Sequence, residues 1–286
     1  MVDARRPIGM FDSGVGGLTV ARAVIDELPH EDLIYFGDTA RCPYGPRPRA
    51  EVKKFALQIM DRLVAEDVKV LVIACNAASS SALEAARERY DVPIIDVIQP
   101  GAKAAVAASR NRHIGVIGTQ VTIDSGAYPR AIAGLDRDVT TTSNACPRFV
   151  EFVERGDTTS DELLAAAEQY LEPLKKAGVD TLILGCTHYP LLAGLIQYVM
   201  GPEVLLISSA QVTANEVYGV LKSDDLLSPS DRQGAHRFVA SDAGGIFSQL
   251  GKRFLGPEFG EVEHSPWEIE VVLDLAPGPE AASGPG

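Results

Sequence analysis

The run Thr181-Leu182-Ile183-Leu184-Gly185-Cys186-Thr187-His188-Tyr189-Pro190 is a short apolar segment that stops at a cysteine, with a hydroxyl and an imidazole directly behind it. A near copy lies earlier, Val70-Leu71-Val72-Ile73-Ala74-Cys75-Asn76-Ala77-Ala78-Ser79. Each reads as a buried strand that delivers a thiol at its carboxyl end and then opens a helix. The copies belong to a longer repeat. Ile114-Gly115-Val116-Ile117-Gly118-Thr119 matches Ile8-Gly9-Met10-Phe11-Asp12-Ser13, Cys146-Pro147 matches Cys42-Pro43, and the strand after Cys186 matches the one after Cys75, in the same order and at nearly constant displacement. An internal duplication of this kind limits the fold to two similar lobes that face each other about a pseudo-twofold axis, with both cysteines meeting in one cleft.

Each lobe reads as α/β. In the first, strands are expected at Ile8–Phe11, Leu33–Phe36, around Cys75 and at Ile94–Val97. Helices alternate with them at about Leu18–Leu28, Arg49–Glu66 and from Cys75 to Tyr90. In Arg49–Glu66 the residues Val52, Phe55, Ala56, Ile59, Met60 and Leu63 recur at helical spacing and define one buried face. Alternation of this type builds a doubly wound, mostly parallel sheet, whose ligands bind beyond the carboxyl ends of the strands. Asp12, Tyr44 and Cys75 all fall there. The loop Gly37–Pro48 carries three prolines, which oppose regular structure and make it stiff enough to hold a site open. After the strand Val204–Ile207 and a helix through Leu221, residues 234–275 carry strand-like His236–Ala240, a helix near Ile246–Leu255 and extended Ile269–Leu273. The expected division is therefore 1–98 with 209–275 for a discontinuous first lobe, 99–208 for the second, and a disordered Pro/Gly-rich tail at 276–286.

Composition removes several classes of function. A formal charge of −13 without a long Lys/Arg cluster argues against nucleic acid as a partner. No apolar run approaches the ~20 residues of a membrane span, and the amino-terminal residues lack a secretory pattern, so cytoplasmic residence is expected. The four cysteines contain no C-x-x-C pair and signal neither zinc nor a redox dithiol. The Gly14-Val15-Gly16-Gly17 run lacks the spacing of a dinucleotide loop and the lysine of a phosphate loop.

Two facing thiols, one ionised and one protonated, can invert a stereocentre by taking a proton from one face and returning one to the other. Reversal swaps their roles, so a near-symmetric pair suits the task. A buried structural cysteine is the commoner fate of any single thiol, but the duplication and the strand-end position favour chemistry here. Nucleophilic catalysis by Cys186 with His188 is the competing use. Asp12 supports a nearby base or a substrate ammonium, or else caps the first helix. His188 supplies a cation beside Cys186, or lies in a helix cap region. Ser13, Asn76 and Thr187 offer a carboxylate cradle at helix starts, or plain caps. Tyr44 packs over a ligand, or only stiffens its loop.

Taken together, Phe11-Asp12-Ser13-Gly14-Val15-Gly16-Gly17-Leu18, Gly37-Asp38-Thr39 leading to Pro43-Tyr44-Gly45, Ala74-Cys75-Asn76 and Leu184-Gly185-Cys186-Thr187-His188-Tyr189-Pro190 resemble bacterial glutamate racemases of the cofactor-independent aspartate/glutamate racemase superfamily. The resemblance runs from Ile8 to about Leu255. It implies that Cys75 and Cys186 are the proton-transfer bases, with Asp12 and His188 assisting on opposite sides and also reaching substrate. It further implies that Ser13, Tyr44, Gly45, Asn76, Ala77 and Thr187 bind glutamate. Glu154 matches, in a looser motif, a carboxylate that some members place near the site. Where the family usually has a hydroxyl residue after Cys-Asn this chain has Ala77, which leaves only a backbone N–H for the contact. The resemblance also implies a bacterial enzyme that needs neither pyridoxal phosphate nor metal, makes D-glutamate for peptidoglycan and forms a homodimer; some members bind DNA gyrase. A racemase for aspartate or another amino acid, and a non-catalytic binding homologue, are the alternative readings.

Overall fold

A computed structural model of the chain describes residues 2–242, 245–256 and 259–267, except the side chains of three residues within 245–256. The expected extended segment Ile269–Leu273 and the tail 276–286 lie outside the described residues. The strands are β1 (Ile8–Asp12), β2 (Leu33–Gly37), β3 (Val70–Ile73), β4 (Ile94–Asp96), β5 (His113–Gly118), β6 (Thr140–Ala145), β7 (Thr181–Gly185), β8 (Leu205–Ser208), β9 (His236–Ala240) and β10 (Val262–His264). The helices are α1 (Leu18–Glu27), α2 (Arg49–Ala65), α3 (Asn76–Arg89), α4 (Ile98–Ala108), α5 (Gln120–Asp124), α6 (Ala127–Leu135), α7 (Arg148–Glu154), α8 (Asp161–Ala177), α9 (Ala193–Met200), α10 (Ser209–Ser223) and α11 (Gly245–Leu255).

The strands form two sheets, ordered β10-β9-β2-β1-β3-β4 and β6-β5-β7-β8. Every described pairing is parallel. The order β2-β1-β3-β4 reappears as β6-β5-β7-β8, and Ile8 sits opposite Val70 as Ile114 sits opposite Thr181. The duplication legible in the residues is thus a duplication of topology, with two pseudo-twofold α/β lobes and a cleft between them. Helices cover both faces of each sheet, which is why β1, β3 and β7 are apolar without alternation. In the first lobe, α1, α10 and α11 pack on one face and α2 and α3 on the other. In the second, α4 and α6 oppose α7, α8 and α9.

Local signals account for several element ends. Ser160 caps α8 by accepting from the N–H of Leu163, Asp161 and Glu162 occupy its first turn, Lys175 and Lys176 its last, and Gly178 terminates it at φ 71°. Two expectations need correction. The loop after β2 is not wholly irregular: Thr39–Arg41 makes one 3₁₀ turn before the prolines begin, since Pro43 is the first residue there without an N–H. The helix expected directly behind Cys186 does not start there either. A 3₁₀ turn, Tyr189–Leu192, intervenes and α9 begins only at Ala193, because Pro190 suits the first positions of a turn and restricts the residue before it.

The segment between α10 and β9 is pinned by a charge that composition does not reveal. Lys69, at the start of β3, is fully buried and ion-paired with Glu31, and its Nζ donates to the carbonyls of Ala4 (2.7 Å) and Leu226 (2.8 Å). Glu31 Oε1 accepts in turn from the N–H of Ser228 at 2.7 Å. Asp32 then holds Arg232 and the N–H of Ala235 (2.7 Å), which brings β9 alongside β2.

Candidate active site

Cys75 follows β3 and occupies the cap position of α3, while Cys186 follows β7. Both are buried, and both line one small cleft of about 330 Å³ with Ser13, Tyr44, Gly45, Asn76, Ala77, Thr187 and His188. Two glycines let the lobes approach. A Cβ on Gly16 would lie 2.4 Å from Thr187 Oγ1 and 2.7 Å from His188 Nδ1, and one on Gly45 would lie 2.9 Å from Thr119 Cβ. The glycine run after β1 therefore serves close contact between the lobes at this cleft.

Asp12 is fully buried at the end of β1. Its Oδ2 accepts from the N–H groups of Gly14 and Gly17, both at 3.1 Å, so this oxygen closes the glycine turn. Its Oδ1 has no partner among the described residues. Asp12 therefore does not cap α1, whose cap position is Gly17, and it is not among the residues that line the cleft. Asn76 shows a similar division. Its Oδ1 accepts from the Tyr128 hydroxyl of the other lobe at 2.7 Å, and its buried Nδ2 has no acceptor among the described residues. The N–H of Ala77, in the first turn of α3, is one of the donors that a helix start leaves without an intrahelical partner. Tyr44 does not present its hydroxyl to the cleft: the group donates to Asp38, and the ring forms wall.

The two thiols stand in different electrostatic settings. Burial, then the charge of Asp12, push the Cys75 thiol up, against the N–H groups of Ala78 and Ser13 and the Ser13 hydroxyl at 3.7 Å. A helix start alone therefore does not make this thiol acidic. Cys186 Sγ lies 3.8 Å from Nδ1 of His188, whose Nε2 is 3.3 Å from Glu154 Oε1, a charge pair aligned too poorly for a hydrogen bond. Burial opposes the imidazolium, but contact with Cys186 and Glu154 outweighs it, and His188 is pushed up to about 10. Glu154 shows the converse: burial raises its carboxyl, while His188 and Cys42 together hold it below the usual range. Among the described residues the cation stands beside Cys186, and the charge that acts on Cys75 is the Asp12 carboxylate.

Because His188 is raised from 6.5 to about 10 on folding, its contribution to stability is fully present below pH 6.5 and is lost as pH rises through about 10. Urea unfolding across that window is expected to show stability falling by up to about 1.4 kcal/mol per pH unit from this group. His188→Asn is expected to remove that slope, and an unchanged slope would contradict the assignment.

Some lining residues were not singled out in the sequence. Thr119 was legible in principle, because the repeat aligns it with Ser13. Cys42 served only as a landmark of the repeat, yet it borders the cleft with its Sγ 3.6 Å from Glu154 Oε1. Val150, from α7, carried no signal. Among the described residues no cluster of three or more His, Cys, Asp or Glu side chains is placed to hold a metal, and no helix is long and apolar enough to cross a membrane.

Two parallel α/β lobes that set matched strand-end cysteines in a shared cleft define a class of two-lobed enzymes, and comparison with known proteins places the chain within it. The family model for Asp/Glu/hydantoin racemases matches residues 18–217. A glutamate racemase of Beutenbergia cavernae is 56% identical over 281 residues, covering 94% of this chain and 95% of the relative. Among solved structures, a glutamate racemase isoform of Bacillus anthracis superposes with a TM-score of 0.87 at 40% identity, covering 93% of this chain and 98% of that one. The Francisella tularensis glutamate racemase, solved in complex with D-glutamate, gives 0.86 at 36% identity, with coverage of 92% and 98%. The chain belongs to the glutamate racemase family and is an isomerase, an amino-acid racemase.

Proposed function

We propose that the protein interconverts L- and D-glutamate by proton transfer between Cys75 and Cys186, without a cofactor, in a cleft between a lobe of residues 1–98 with 209–275 and a lobe of residues 99–208. The observation that carries this reading is the presence of both thiols in one cleft, on equivalent strand ends of opposite lobes. As a thiolate, one cysteine removes the α-proton; the other, as a thiol, returns a proton to the opposite face, and the roles exchange in the reverse direction. Asp12 Oδ1 is an acceptor for the substrate ammonium, whose charge also offsets the penalty on a Cys75 thiolate. Asn76 Nδ2, the Ala77 N–H and the hydroxyls of Ser13 and Thr187 are donors for the carboxylates. Tyr44 and Gly45 shape the wall. On the other side His188, held as imidazolium by Glu154, supports the thiolate form of Cys186.

The same reading makes the protein a cytoplasmic homodimer that supplies D-glutamate for peptidoglycan. Circular dichroism on L-glutamate, with L-aspartate in parallel, tests the substrate. Optical activity is expected to decay with L-glutamate alone; decay with aspartate alone would transfer the assignment to an aspartate racemase, and no decay with either would support a non-catalytic homologue.

A further inference from the structure

We propose that Trp267 is a positioning residue for the substrate cleft, holding the loop of residues 37–48 through the buried carboxylate of Asp38 so that Tyr44 and Gly45 form the cleft wall. This rests on the racemase reading of that cleft. Asp38, just past β2, is fully buried and gathers donors from two parts of the chain about 200 residues apart. Its Oδ2 accepts from Arg41 Nε at 2.7 Å and from the Tyr44 hydroxyl, both within the loop. Its Oδ1 accepts from Ser241 Oγ at 2.9 Å, just past β9, and from Trp267 Nε1 at 2.7 Å, just past β10. One oxygen thus collects the loop and the other collects the carboxyl-terminal segment behind it.

Neighbouring contacts run in the same direction. The Arg41 guanidinium lies between two rings, 3.7 Å from the centroid of Trp267 and 4.1 Å from that of Phe55. Trp267 also packs on Phe36 of β2, centroid to centroid at 5.5 Å. The N–H of Ala40 donates to Ser241 Oγ at 2.9 Å, and Thr39 Oγ1 bonds Asp242 Oδ1 at 2.7 Å. These anchors matter because the proline-rich loop cannot join a strand ladder, so side chains must replace the backbone bonds that would hold it. A buried carboxylate stripped of one donor is poorly solvated and pulls its remaining partners out of place.

The variant Trp267→Phe keeps a six-membered ring against Arg41 and Phe36 and removes the N–H together with the five-membered ring that carries it. Cys42, the thiol of this loop, is partly exposed and reports on its opening. Peptide mapping after iodoacetamide treatment is expected to show Cys42 alkylated roughly tenfold faster in the variant than in the wild type. The KM for L-glutamate is expected to rise by a similar factor with kcat nearly unchanged. Alkylation at the wild-type rate, or faster alkylation with an unchanged KM, would overturn the proposal. Should Trp267→Phe fail to fold, Ser241→Ala removes the other Oδ1 donor and is judged by the same two readings. If the wild-type protein does not turn over glutamate, the racemase reading falls, while the Cys42 comparison still decides whether Trp267 holds the loop.

Discussion

Replacing Cys75 by Ala, or Cys186 by Ala, is expected to lower the rate of glutamate racemisation by at least about 10²–10⁴-fold, since each substitution removes one of the two groups that inversion requires. The more discriminating readout is isotopic. In deuterated water the intact protein is expected to place deuterium at Cα of the product enantiomer. A variant with one thiol left can exchange the α-proton of a single enantiomer, and the two variants are expected to show opposite preferences. The pair need not behave identically. Cys186 has an imidazolium 3.8 Å away and Cys75 has a carboxylate and a hydroxyl for company, so the two faces of the substrate meet unequal help. If both single variants racemise at the wild-type rate, the two-base mechanism is wrong.

The second large effect is expected far from the cleft. Lys69→Met leaves Glu31 buried without its cation and strands the carbonyls of Ala4 and Leu226. Removing one partner of such a pair costs about 3–5 kcal/mol, which for a chain of this size corresponds to a fall of roughly 10 °C in Tm. Adding Glu31→Met to Lys69→Met is expected to recover part of the loss, because the uncompensated charge disappears while the unpaired backbone groups remain. Thermal unfolding followed by far-ultraviolet dichroism measures both. A Lys69→Met protein as stable as the wild type would mean that the clasp contributes nothing to the attachment of β9.

Much of the architecture is legible before any coordinates. Apolar runs without alternation, followed by polar residues at a helix start, mark β3 and β7 as central parallel strands, and the matched landmarks announce two lobes. Cys75 and Cys186 stand out because strand-end position is local information. The helix behind Cys186 starts later than the polar residues there suggest, again for a local reason, since Pro190 starts a tight turn before α9 can begin.

Other features have no local signature. Asp38 looks like an ordinary loop aspartate until Ser241 and Trp267 arrive at its Oδ1. Lys69 reads as a solvated charge, yet it is fully buried because Glu31 and the segments of Ala4 and Leu226 close around it. Glu154 matches only a loose motif, and its partner is fixed when α7 brings it within 3.3 Å of His188.

The chain's residues by themselves determined the βα alternation, its duplication and the two thiols at equivalent strand ends, because periodicity, glycine and proline act within a few residues of where they stand. Only the tertiary structure decided that Glu154 reaches His188, which oxygen of Asp12 faces no partner, and which distant segments hold the Tyr44 loop. Those depend on how two sheets and their covering helices pack, and packing is settled by contacts between residues that no local pattern pairs.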